Sequence, residues 1–185
     1  IDPGPTVSTF VHVEFSARTL LDPGITICGV GELDNHDMLE RLRQTYGSII
    51  VCEMIACYGM AVGKEVFETC RWIGRFEQRV ADAGLKLETL TRVQCKMQLC
   101  QSMRAKDANI RQALIDRFGD VGRRSAPGPL YGISGHAWSA LAVATTWRDL
   151  ALQAEKESAR VKNIVTDQPN RIRAASCEAA AGGNL

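Results

Sequence analysis

Short strands alternating with helices place this 185-residue chain among the α/β proteins, with a mixed five-stranded sheet flanked by helices. Near the N-terminus, Val11, Val13 and Phe15 alternate with His12 and Glu14, the period of a half-buried strand. Pro3-Gly4-Pro5 and Asp22-Pro23-Gly24 bracket that strand with turn chemistry, so the first three strands read as an antiparallel meander. Further on, the apolar period changes from two to that of a helix and back again. This is the pattern of crossovers that permit parallel strand pairs.

Taken in order, Ile1-Asp2 is expected to be the tail of a first strand whose start is missing. Val7 to Phe15 and Ile25 to Val30 supply the next two. Asp37 to Tyr46 is a short helix, its apolar side formed by Met38, Leu39 and Leu42. It leads to Ile49-Ile50-Val51-Cys52, a short β-branched strand. From about Lys64, residues Val66, Phe67, Cys70, Ile73, Phe76 and Val80 recur at helical spacing, until Gly84 ends the helix. Leu85 to Leu90 is the fifth strand. Val93–Met103 and Asp107–Phe118 are helices joined by the basic link Arg104-Ala105-Lys106, with Asp107 as the expected N-cap of the second. Gly119 to Gly132 reads as loop. Ser134 to about Glu157 is a long helix whose buried side holds Ala140, Leu141, Val143, Ala144 and Trp147. Residues 1–160 are expected to form one domain and 161–185 a largely disordered tail.

Hydrophobic residues make up 45% of the chain and charged residues 23%, with a net charge of +1. That balance by itself implies no polyanion partner. Its distribution is uneven, however. Lys86, Arg92, Lys96, Arg104, Lys106, Arg111, Arg117, Arg123 and Arg124 outweigh the acids of the same stretch. A phosphate-binding face and a solvated helix surface both fit such a pattern. Seven cysteines is an odd count without a secreted-type framework, which favours free thiols in a reducing cytoplasm. The four-residue gaps Cys52/Cys57 and Cys95/Cys100 make a weak zinc pattern, since zinc needs four converging ligands. No apolar run of about 20 residues suggests a membrane span.

Glu53 follows directly on the Ile49–Cys52 strand. A carboxylate where an interior strand stops lies where open α/β sheets bind ligands. Burying it unpaired would be costly, so it needs a cation, a proton or a hydrogen-bonding partner. Two familiar motifs fail nearby. GMAVGKE has three residues between its glycines, where a phosphate loop has four, and Glu65 replaces the required Ser or Thr. Gly132-Ile133-Ser134-Gly135 falls short of a nucleophile elbow.

Four blocks carry a resemblance: IDPGPT, IVCEMIACYGMAVGKEVFETCRWIGRF, KMQLCQSMRAKDANIRQALIDRFG and GPLYGISGHAWSALAVATTW. Together they are similar to the RuvC-type Holliday junction resolvases of the RNase H-like superfamily, and most of all to RuvC-like proteins of phage and prophage genomes. They cover most of the chain from Ile1 to about Trp147. The resemblance implies that Asp2 is the first-strand aspartate of the site and Glu53 its fourth-strand glutamate. His136 stands where many members have an aspartate opening the last helix. Ser139 stands where many have another, a departure that leaves two carboxylates and one imidazole. Read without the resemblance, Asp2 is a turn residue and His136 an N-cap-region histidine.

The activity so implied is cleavage of phosphodiester bonds in branched DNA, the resolution of four-way junctions. In that chemistry two magnesium ions about 4 Å apart activate water and steady the leaving oxygen, with Mn²⁺ as a possible substitute. Hard cations want oxygen ligands. Asp2 would hold both ions and Glu53 one, while His136 would hold the second or take a proton from the attacking water. Lys96, Arg104, Lys106 and Arg111 become candidates for backbone phosphates. Tyr58 is a candidate to stack on an unpaired base at the branch point, although its register in the loop differs from that of relatives; a packed loop tyrosine is the other reading. Two symmetric nicks imply a homodimer in the cytoplasm of a bacterial or phage-infected cell. The Lys64–Val80 helix is its expected interface, unless that apolar stripe faces the sheet. The alternative function is a branched-DNA-binding protein whose active site is weakened or lost.

Overall fold

The computed structural model describes residues 1–16, 24–45, 47–57, 59 and 61–181, with side chains described as far as residue 162. The described chain divides into two compact units, Ile1–Trp147 and Arg148–Leu185. All the strands lie in the first.

Strand β1 (Val7–Phe15) pairs antiparallel with β2 (Ile25–Asp34), and β3 (Ile50–Met54) pairs parallel with β4 (Leu87–Thr91). Among the described residues the regular strands therefore form separate two-stranded pairs, and the expected five-stranded sheet is not seen. The short segment Ile1-Asp2 hydrogen-bonds to both pairs. Asp2 exchanges backbone bonds with Thr9 of β1, at 2.8 and 2.9 Å. The Ile1 carbonyl accepts from the Glu53 N–H at 2.9 Å, and the Ile1 nitrogen donates to the Val51 carbonyl at 2.7 Å. Asp2 makes only an isolated bridge to Thr9, so the segment is not a regular strand, yet its bonds fix Asp2 beside Glu53.

Strand β2 runs four residues beyond the expected end at Val30. Gly29 and Gly31 weaken the sequence signal there, since glycine has no side chain to alternate. They are tolerated because the Phe10 ring lies against them: a Cβ on Gly31 would sit 3.1 Å from it. Strand β3 starts one residue later than expected and ends two residues later. Ile49 is exposed, and Glu53 lies within the strand, opposite Leu90.

Helices cover the strands. The α1 helix (Asn35–Arg43) is capped by Asp34, whose carboxylate accepts the His36 N–H at 2.8 Å. Buried Met38 and Leu42 from α1 join Ile50 and Cys52 of β3, Leu87 of β4, and Trp72, Ile73, Phe76 and Val80 of α2 (Lys64–Asp82) in one cluster. The α2 apolar stripe therefore faces the sheet, which was the other possibility for it, while Phe67 on its far side is exposed. A second cluster joins Ile110, Leu114 and Phe118 of α4 (Asp107–Phe118) to Ala137 and Leu141 of α5 (Ala137–Ala181), with Val11 and Val13 of β1 against it. Phe10 packs on the first cluster and Val11 on the second, as side chains alternate across a strand.

Helix α3 (Arg92–Cys100) opens on a capping box between Thr91 and Gln94 and ends at Gln101, whose φ of 52° is left-handed. The N-cap of α4 is Lys106 rather than the expected Asp107; Asn109 Oδ1 accepts the Lys106 N–H at 2.8 Å, and Asp107 is the first helical residue. Within the expected Gly119–Gly132 loop, β5 (Gly122–Arg123) and β6 (Ala126–Pro127) form a minimal hairpin. Helix α5 starts three residues later than expected and its backbone stays helical to Ala181, well past Glu157. Among the described residues, no helix is long and apolar enough to cross a membrane.

Candidate active site

The loop Pro3–Thr6 is clamped from below by one buried polar residue. Asn35, fully buried at the head of α1, donates from Nδ2 to the Gly4 carbonyl at 3.0 Å and accepts from the Ser8 hydroxyl. Its own backbone N–H donates to the Thr6 carbonyl at 3.0 Å. Every polar group of this buried side chain is thus used to hold the turn behind Asp2, which fits the need to pair buried polar groups.

Asp2 and Glu53 then line one open pocket of about 230 Å³, with Arg92 at its wall. The side chain of Glu53 is 15% exposed and that of Asp2 17%. Burial pushes the Glu53 carboxyl up to about 7; the neighbouring Asp2 carboxylate pushes the same way, and the Arg92 guanidinium opposes both. Arg92 Nη1 lies 3.4 Å from Glu53 Oε2, and its Nη2 lies 2.6 Å from Asp107 Oδ1. One arginine thus links the pocket to the first turn of α4.

His136, just before α5, reaches Asp2 across the fold, its Nδ1 3.0 Å from Asp2 Oδ2. An ionised Asp2 can only accept, so Nδ1 is the donor in this contact, and in the neutral imidazole Nε2 then keeps its lone pair. The imidazole is 76% exposed. Ser139 lies one turn further on, half-buried, its N–H donating to the His136 carbonyl at 3.0 Å.

Of the three candidates, Asp2 is the one in common, and among the described residues no contact joins His136 to Glu53. Asp2 touches His136 and shares the pocket with Glu53. Two carboxylates on a solvent-open pocket, with burial raising the proton affinity of one of them, suit a hard divalent cation. Among the described residues, however, no group of three or more His, Cys, Asp and Glu side chains is placed to hold a metal ion.

The basic candidates lie on α3, α4 and the link between them and do not line the pocket. Lys96 follows Arg92 by one turn of α3 and is half-buried. Arg104 and Lys106 are exposed in the link before α4, and Lys106 directly precedes the Asp107 that binds Arg92. Arg111 is exposed on α4, its guanidinium 4.9 Å from the Trp138 ring centroid, two residues beyond His136. Tyr58 lies outside the described residues.

The sequence reasoning counted Arg92 only as part of a basic stretch and missed its place in the pocket. A signal was present. Arg92 follows β4 directly, and β4 runs parallel to β3, so its end opens on the same side as Glu53. The strand-end argument that singled out Glu53 applies equally to Arg92.

No protein-family model matches this sequence, and no curated protein does. Solved structures do. RuvC of Thermus thermophilus superposes with a TM-score of 0.64 at 17% identity, over 83% of this chain and 94% of that one. The fold is that of RuvC. A second structure, T. thermophilus RuvC in complex with a Holliday junction substrate, superposes with a TM-score of 0.57, again at 17% identity, over 79% of this chain and 88% of the other. These matches establish the α/β RuvC-like architecture.

Proposed function

We propose that this chain is a divalent-cation-dependent endonuclease acting on branched DNA, with a four-way junction as substrate. The observation that carries the reading is the meeting of Asp2 and Glu53, far apart in sequence, at one pocket of a RuvC fold, with His136 hydrogen-bonded to Asp2. Holliday junction binding by T. thermophilus RuvC supports the choice of substrate. The four sequence blocks support a phage-type relative working in the cytoplasm as a homodimer, because two symmetric nicks call for two sites.

Asp2 and Glu53 would hold Mg²⁺ or Mn²⁺, two ions per site in the arrangement the resemblance implies, with His136 either completing the ligand set or serving as proton acceptor. Bound there, the ions would supply positive charge to activate water and to steady the leaving oxygen. Asp2 orients the imidazole through Nδ1, which leaves Nε2 to accept a proton from the attacking water. Glu53 brings a carboxylate whose charge is poorly solvated and therefore favours a cation. Lys96, Arg104, Lys106 and Arg111 would hold backbone phosphates around the opening, positioning DNA without reading its sequence.

A second reading, a junction-binding protein with a weakened site, draws on two features: Ser139 in place of an acid, and Arg92 already paired with Glu53. A nicking assay separates the two. Synthetic junction, flap and linear duplex are incubated with the protein in Mg²⁺ or Mn²⁺. Incision of the junction, lost in Asp2→Ala and Glu53→Ala while binding persists, is the expected result. Binding without incision by the parent protein favours the second reading, and cutting retained in both variants rejects the assignment of the site.

A further inference from the structure

Arg92 stands between two carboxylates that compete for it. Its longer contact, 3.4 Å, is to Glu53 inside the pocket, and its shorter one, 2.6 Å, is to Asp107 outside. The side chain is 25% exposed, so the guanidinium acts on Glu53 across partly dry space, whereas Asp107 is 78% exposed. A guanidinium can form a two-pronged pair with one carboxylate at a time. Here it splits its prongs, and the geometry favours Asp107.

We propose that Arg92 is a positioning residue that competes with a divalent cation for Glu53, and that Asp107 governs this competition by drawing the guanidinium out of the pocket. The proposal rests on the reading of Asp2 and Glu53 as a cation site. Its physical basis is charge. Asp2 and Glu53 bring two negative charges to the pocket, and Arg92 returns one positive charge beside Glu53. A divalent ion entering there meets that positive charge at short range. Removing the charge favours a divalent cation about twice as strongly as it favours a proton, so the greater proton affinity of Glu53 cannot reverse the effect. Removing Asp107 acts in the opposite sense, because the freed guanidinium turns fully onto Glu53. A merely structural Arg92–Asp107 link would make both substitutions act in the same direction.

The test is Mn²⁺ binding, followed by the loss of the free-ion paramagnetic resonance signal. It compares the parent protein with Arg92→Gln, Asp107→Asn and Glu53→Gln at pH 8, with thermal melts to establish folding. Arg92→Gln is expected to bind Mn²⁺ on the order of tenfold more tightly, and Asp107→Asn several-fold more weakly. Unchanged or weaker binding by Arg92→Gln, or unchanged or tighter binding by Asp107→Asn, overturns the proposal. Should Arg92→Gln fail to fold, Asp107→Asn, altered at an exposed position, carries the test alone. Glu53→Gln is expected to lose the site. If it binds as the parent does, the reading of the pocket as a cation site fails, an outcome distinct from failure of the competition.

Discussion

Replacing Glu53 by glutamine should make the protein more stable at alkaline pH. In the folded chain burial holds the Glu53 carboxyl at about 7, whereas an unfolded glutamate titrates near 4.3. The folded state thus binds this proton more tightly than the unfolded state does. Stability is greatest while Glu53 is protonated, falls as pH rises from about 4.5 to 7, and stays low above that. The gap between the two values corresponds to a cost on the order of 3 kcal/mol at pH 8.5. Little of it is lost to solvent screening, since the side chain is 15% exposed. Glutamine keeps the shape of the neutral acid and carries no charge at any pH. Melting curves of the parent and Glu53→Gln should nearly coincide at pH 4.5 and separate by about 6–12 °C at pH 8.5, the variant melting higher. Added Mg²⁺ should narrow the gap by stabilising only the parent. A gap of the same size at both pH values, or a variant less stable at pH 8.5, would refute the argument that a buried charge strains this pocket.

Other substitutions probe the surface and the core. Lys96→Ala combined with Lys106→Ala should weaken binding to a four-way junction and flatten the plot of log affinity against log salt by about 1.8, two phosphate contacts at about 0.9 each; an unchanged slope argues against these contacts. Phe76, fully buried in the α1–α2 cluster, should cost about 3–5 kcal/mol as Phe76→Ala in urea unfolding, and a cost below about 1 kcal/mol would show that this cluster is not the core.

Much of the architecture was legible because periodicity reports burial directly. Val11, Val13 and Phe15 face inwards from β1, and Trp72, Ile73, Phe76 and Val80 face inwards from α2, as their spacing requires. Boundaries were less legible wherever glycine or a polar cap intervened. Gly29 and Gly31 hid the second half of β2, whose pairing is secured by the partner strand and the Phe10 ring. Asp107 looked like a cap because its residue type suits one, yet Asn109 secures the Lys106 N–H, which frees the Asp107 carboxylate for Arg92.

By itself, the sequence determined which residues carry charge to strand ends and helix starts: Asp2 before a forced turn, Glu53 at the close of a β-branched run, His136 ahead of a long helix. Those are local properties, written in turn chemistry and in the period of apolar side chains. Only the tertiary structure decided who meets whom. Asp2 and His136 are 134 positions apart and Arg92 and Glu53 are 39 apart, and no spacing rule relates residues at such distances. The meeting follows from two parallel strands opening on one side and from Asn35 pinning the turn behind Asp2. Burial then gives Glu53 a chemistry that its residue type alone does not have.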